Sequence, residues 1–143
     1  MNTSTLIKLN SRLMIKIANI LLADYQITHS QASVILNLKG NLKQKDLVQL
    51  LGIEQPSAVR LIDRMVIAGL LERRLHPSDR RAQQLSLSSR GQRLLVILKK
   101  IANQINAIAS KGLTSDEKCI LKQALTKMEE NLLEKLQTLG EIS

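Results

Sequence analysis

Aromatic residues are almost missing from this chain: among 143 residues there is one tyrosine, Tyr25, and no phenylalanine or tryptophan. A core without rings has to be made of leucine, isoleucine, valine and alanine, which suits helices packed on helices. One cysteine, Cys119, excludes an internal disulfide and any cysteine-rich metal site. The only histidines are His29 and His76. No glycine-rich phosphate loop, metal-ligand cluster or nucleophile motif accompanies them, so neither catalysis nor a metal or other cofactor is expected. No apolar run reaches membrane-spanning length, and the N-terminus lacks an apolar core followed by a small-residue cleavage site. Residues 5–22 are amphipathic and basic, as a transit peptide would be, but pairing of helices gives them a better use. The expectation is a cytoplasmic, nucleoid-associated protein with no membrane partner.

What is present is positive charge. The formal balance is +9 and the isoelectric point is near 10.1, which points to nucleic acid or an anionic surface as partner. The charge is spread along the chain, but between Arg60 and Arg90 every Lys/Arg position is arginine. Arginine suits phosphates and base edges better than lysine does. An apolar content of 44% is ordinary for a chain that buries a core, and the length fits one domain, or one domain with a helical appendage.

Residues 4–23 have a helical period: Leu6, Leu9, Leu13, Ile17 and Ile20 share a face, and Lys8, Arg12 and Lys16 line another. Thr28 to Gln31 form a capping box that starts a second helix, which ends before Gly40. Asn41 to Gln44 is read as the cap of a third helix through Leu51. Gly52 turns the chain, and Pro56 suits the first turn of a fourth helix running to about Ala68 and stopped by Gly69. Val59, Ile62, Met65 and Val66 are its expected inner face. The period then changes. Residues 70–75 and 82–87 read as two strands joined by a turn containing Pro77. Ser88 caps a long helix to about Lys111, Gly112 breaks it, and Thr114 to Glu117 form a second capping box. The last helix carries Leu121, Leu125, Met128, Leu132, Leu136 and Leu139. Its stripe, and that of the long helix before it (Leu94, Leu98, Ile101, Ile105 and Ile108), are too apolar to remain single; they could cover the central domain, but that domain can bury itself, so dimerisation is expected.

Helix, glycine turn, helix and basic hairpin make the plan of a winged helix-turn-helix. The fold class is therefore mainly α (α+β): a winged core over 26–91, with dimerisation helices at 4–23 and 89–139, all within a single domain of 1–143. In a helix-turn-helix the second helix enters the major groove with its N-terminal residues against base edges. Those residues are Gln55, Pro56, Ser57 and Ala58, then Arg60 and Arg64 one turn on. Gln pairs with adenine and Arg with guanine, while Ala and Pro offer apolar contact to a thymine methyl. Arg73 and Arg74 lie on the first strand of the hairpin, and Arg80 and Arg81 lie past its tip. Asp79 is placed to hold a guanidinium by a bidentate pair, and an arginine so held suits the narrow minor groove. Lys43 and Lys45 are placed for phosphates.

Residues 42–94, with GIEQPSAVRLID, SDRRA, Leu50-Leu51-Gly52, Gly69-Leu70 and Leu87-Ser88 followed by Gly91, resemble the DNA-binding core of the MarR family of bacterial transcriptional regulators, most closely its SlyA branch. The resemblance implies a homodimer with interlocking terminal helices on a pseudo-palindromic double-stranded operator. It assigns base contact to Ser57 and Arg60, minor-groove insertion to Arg80 or Arg81, and support of the wing to Arg73 and Asp79. It also implies release of DNA by a small phenolic or aromatic carboxylate in a crevice near Arg12 and Tyr25. Two threonines common in the family are here Lys43 and Ser88. The first helix lacks the cysteine of peroxide-sensing relatives, and Cys119, beside Ile120, is expected to be a buried structural thiol. The rival readings are a winged-helix protein-interaction dimer and a nonspecific, nucleoid-like DNA binder.

Overall fold

The computed structural model describes residues 1–142. They fall into two compact units, Met1–Asn106 and the segment from Ala107 onward.

In the first unit, α1 (Thr3–Leu22) is capped by Asn2, whose Oδ1 accepts from the Thr5 N–H at 2.9 Å. A short 3-10 turn, Ala23–Tyr25, ends at Gln26 in the left-handed region. α2 (His29–Asn37) starts with the expected capping box: Thr28 Oγ1 accepts from the Gln31 N–H, and Gln31 Oε1 accepts from the Thr28 N–H. Asn19 of α1 accepts from the His29 N–H at 2.9 Å, tying the first two helices together.

The third element corrects the sequence reading. Leu42–Lys43 is not a side-chain cap but a two-residue strand, β1, and α3 (Gln44–Leu51) follows with Lys43 as an N-cap that makes no side-chain bond. β1 pairs with the far strand of the hairpin, Leu42 opposite Leu85 and Lys43 opposite Gln84, so the ladder holds the backbone that a cap would otherwise have held. β2 (Leu71–Leu75) and β3 (Gln83–Leu87) form the hairpin, and the sheet order is β1-β3-β2, all antiparallel.

Gly52, at φ +64, makes the left-handed turn into α4 (Gln55–Ile67), and Pro56 lies in its first turn. The inner face is rotated from the one expected. Ala58, Leu61, Ile62 and Met65 are buried, whereas Val59 and Val66 are only partly covered. Leu22, Ile35, Leu47, Ile62, Met65, Leu70, Leu85 and Leu98 are the fully enclosed large side chains. Each contributes about 1.5–3 kcal/mol of hydrophobic stabilisation. The core is aliphatic, as composition required.

α5 (Ser89–Ala109) is fastened to the end of α4. The Ser88 hydroxyl accepts from the Gly91 N–H at 3.0 Å and donates to the Gly69 carbonyl at 2.6 Å, and Arg90 Nη1 donates to the Ala68 carbonyl at 2.8 Å. These bonds satisfy carbonyls that the last turn of α4 leaves open. Gly91 packs its α-carbon against the backbone of Leu70, where a β-carbon would come within 2.3 Å of the carbonyl oxygen.

The second unit is mainly α6 (Ser115–Thr138), entered after Gly112 at φ +87. Thr114 Oγ1 accepts from the Glu117 N–H at 3.1 Å, so this half of the expected box is present. α6 has no buried residue; Leu121, Leu125, Leu132 and Leu139 are uncovered along it. Cys119 is exposed, not buried as expected, because the chain by itself lays nothing over that turn.

Candidate nucleic-acid interface

α3, the Gly52 turn and α4 place one face of α4 in the core and turn the other outward. On the outward face Gln55, Pro56, Arg60 and Arg64 are exposed and Ser57 is half-buried. Arg60 Nη2 lies 3.5 Å from Ser57 Oγ, a long contact that leaves most of the guanidinium's donors unused. Ala58 does not belong to this face. It is fully buried, so no thymine methyl can reach it; it packs the start of α4 onto the core.

The wing tip is held by its own backbone and short side chains. The His76 N–H donates to the Ala82 carbonyl at 3.0 Å, and the Ala82 N–H to the Asp79 carbonyl at 3.1 Å. His76 Nδ1 accepts from the Ser78 N–H at 3.2 Å. Asp79 Oδ1 accepts from the Arg81 N–H at 3.0 Å, closing the turn between them. The expected guanidinium pair at Asp79 is thus replaced by a backbone bond. The carboxylate fixes where the chain turns, and among the described residues no carboxylate pairs with Arg80 or Arg81, both of which are exposed.

Two wing arginines behave differently. Arg74 is exposed, with a loose 3.4 Å pair to Glu72. Arg73 turns inward and joins Asp63 of α4 at 2.5 Å, with 25% of its side chain exposed. It is therefore occupied within the protein and not offered to DNA. Lys45 is exposed at the start of α3 and Lys43 is half-covered on β1. The arrangement offers four free guanidiniums, those of Arg60, Arg64, Arg80 and Arg81, on one helix and one hairpin tip. Asp63, Arg90 and β1 were missed in the sequence. Asp63 and Arg73 stand ten residues apart on different elements, which no local spacing reveals, and two residues of strand leave no period.

Arg12 and Tyr25 are exposed, but they do not line a cavity found in the first unit. That cavity, of about 620 Å³, lies between the end of α2, the wing and α5. Leu36, Leu38 and Leu95 give it apolar walls, and Lys39, Arg74 and Lys99 give it positive charge. Among the described residues no group of three or more His, Cys, Asp or Glu could hold a metal ion, and no helix is long and apolar enough to cross a membrane.

A family model described as MarR family matches residues 25–82, the span from Tyr25 through the wing tip. The fold of the whole chain agrees with the crystal structure of the transcriptional regulator SlyA at a TM-score of 0.89, covering 97% of this chain and 99% of that one, at 20% identity. Residues 25–82 are thus similar to the MarR family, and the fold is the winged helix seen in its solved structures. Among similar structures, a mutant MarR from E. coli complexed with operator DNA matches at a TM-score of 0.79 and 24% identity, covering 87% of this chain and 91% of that one. BpsR of Bordetella bronchiseptica, whose DNA binding is regulated by 6-hydroxynicotinic acid, matches at 0.79 and 25%, covering 88% of this chain and 97% of that one. The winged helix-turn-helix expected from the sequence is the observed fold, with β1 added to its sheet.

Proposed function

We propose that this chain is a transcriptional regulator of the MarR kind, two copies of which bind a pseudo-palindromic double-stranded operator. The first turn of each α4 enters the major groove, and each wing tip enters the adjacent minor groove. The observation that carries this reading is the set of free guanidiniums: Arg60 and Arg64 on the open face of α4, and Arg80 and Arg81 on a tip tied down by Asp79. Gln55, Pro56 and Ser57 share the groove face, Arg60 reads guanine, and Lys45 and Lys43 meet phosphates. Ala58 and Arg73 take no direct part. The operator-bound MarR relative supports the mode of binding. Self-association is supported by the uncovered apolar residues of both terminal helices, Leu6, Leu13 and Ile20 on α1 and Leu121, Leu125, Leu132 and Leu139 on α6.

A small aromatic acid relieves the binding. The cavity behind the wing supports this reading better than the crevice near Arg12 and Tyr25. It has room for such a molecule, apolar walls, and cations to meet the carboxylate. BpsR supplies a relative regulated by an acid of this class.

The test is selection of bound fragments from the source genome, with and without salicylate. It is followed by the ratio of specific to nonspecific affinity at one salt concentration. An enriched palindromic motif bound by a dimer is the expected result. A ratio near one would leave a nonspecific binder, and no binding at all would leave a protein-interaction dimer.

A further inference from the structure

The wing tip carries a histidine whose tautomer the backbone dictates. Two side chains close the tip alike, each accepting from the N–H two residues on, as in an Asx turn. Asp79 Oδ1 does so from Arg81, and His76 Nδ1 from Ser78 at 3.2 Å, with Ser78 Oγ also 3.2 Å away. A backbone N–H can only donate, so Nδ1 must present a lone pair. In a neutral imidazole the hydrogen is then on Nε2, which becomes a donor and nothing else. Nε2 makes no hydrogen bond within the chain. The buried side-chain polar atoms left without a partner among the described residues are Gln44 Oε1 and Arg73 Nε, so Nε2 opens to water. No carboxylate of the described residues pairs with the ring.

His76 is the first residue beyond β2, and its N–H meets the Ala82 carbonyl at 3.0 Å. It stands across the hairpin from the residue that follows Arg81. The turn alone needs no ring, since asparagine accepts an N–H two residues on in the same way. What the ring adds is a second nitrogen, bearing hydrogen, on a body already held by its first.

We propose that His76 reads the minor groove beside the wing arginines: its Nε2–H donates to adenine N3 or thymine O2 and so selects A·T over G·C at that pair. The inference rests on the operator-binding reading above and names a contact within it. In the minor groove A·T and T·A present acceptors only, whereas G·C adds the guanine amino donor. A fixed N–H finds a partner in the first case and faces another donor in the second. Arg80 and Arg81 answer the groove's negative potential, which follows its width. The imidazole answers to atoms on the groove floor. Held by Ser78, it also has little rotamer freedom left to lose on binding.

The experiment uses the full-length protein at about pH 8, where an ordinary imidazole is neutral. Operator duplexes are altered one A·T pair at a time beneath the wing, to G·C or to inosine·C, which lacks the minor-groove amino group. At one pair per half-site wild type should lose roughly three- to tenfold on G·C and recover on inosine·C. His76→Asn keeps an acceptor for the Ser78 N–H and removes the outward donor. The difference between the two pairs should then vanish, while amide exchange at Ser78 and Ala82 stays as in wild type. His76→Gln, whose amide reaches as far as Nε2, should restore part of it. Arg80→Ala should weaken every duplex yet keep the difference. The salt slope should not change in His76→Asn, because a neutral donor releases no counterion. In nitrogen NMR of the free protein, the imidazole signals missing from His76→Asn should be those of the Nε2–H form. If exchange shows the tip loosened in His76→Asn, His76→Ser, which closes the same turn with a shorter arm, takes its place. An Nδ1–H tautomer, equal binding of the altered pairs by wild type, or a difference that survives in His76→Asn and disappears in Arg80→Ala would overturn the inference while operator binding stands. A wild type that prefers no operator would sink the operator reading itself, and the role of His76 with it.

Discussion

Replacing Gly91 by alanine sets two effects of opposite sign against each other, and the interatomic distances decide which wins. Alanine is the better helix former by about 1 kcal/mol, so on propensity alone Gly91→Ala should stabilise α5. Packing says otherwise. The added β-carbon would lie 2.3 Å from the Leu70 carbonyl oxygen and 3.4 Å from both the Leu70 carbonyl carbon and Leu87 Cβ. The closest of these atoms is backbone, and it cannot swing aside as a long side chain would. It is also held, because the Leu70 carbonyl accepts the Ser88 N–H at 3.1 Å. Relief requires α5 to back away, which stretches the Ser88 and Arg90 bonds to the end of α4. Overpacking of this kind costs about 1–3 kcal/mol, and weakening two neutral or charge-assisted bonds adds to it. The net result is about 1–2 kcal/mol lost, or a Tm lower by roughly 3–8 °C for a chain of this size. Thermal unfolding of both proteins at one protein concentration measures it, since association would otherwise shift the midpoint. A Tm equal to or above that of wild type would show that α5 is not pinned at Leu70, and would refute the argument.

Arg60→Ala should cost about 1–3 kcal/mol of operator affinity and relax preference at one base pair per half-site, as scored by competition with singly substituted duplexes; equal weakening on every sequence would remove it from base reading. Arg80→Ala with Arg81→Ala should flatten the dependence of log affinity on log salt by up to about one unit for each phosphate no longer neutralised, and an unchanged slope would place the tip away from the DNA. Leu132→Glu on the uncovered face of α6 should shift the chain toward monomer in sedimentation while the helical signal persists, since no buried residue of α6 is disturbed. A dimer unaffected by that change would move the self-association surface elsewhere.

Much of the architecture could be read in the sequence because its signals are local. Thr28 and Gln31 satisfy each other across one turn, and Gly52 and Gly69 take positive φ where the chain reverses. Pro56 marks the start of α4 by lacking a donor that would have had no partner. What escaped depends on distant partners. β1 exists because Leu85 offers a free strand edge more than forty residues away. The one-residue rotation of α4, which buries Ala58 and half-exposes Val59, is decided by what the core presents to it and not by the helix's own hydrophobic period. The partner of Arg73 escaped for the same reason. The arginine's charge is visible in the sequence, but the carboxylate that occupies it is on another element. Asp79 was located correctly and given the wrong partner, a neighbouring N–H instead of a guanidinium.

The lone ring of Tyr25, partly open at the joint where α1 gives way to α2, makes this chain nearly silent to ultraviolet emission except at that single place. Any change in tyrosine fluorescence when duplex or acid is added therefore maps to one junction, without a second chromophore to confuse it. A tryptophan introduced on the wing or on α6 would in turn be the sole indole in the molecule, so each could be followed separately, in real time and without chemical labelling.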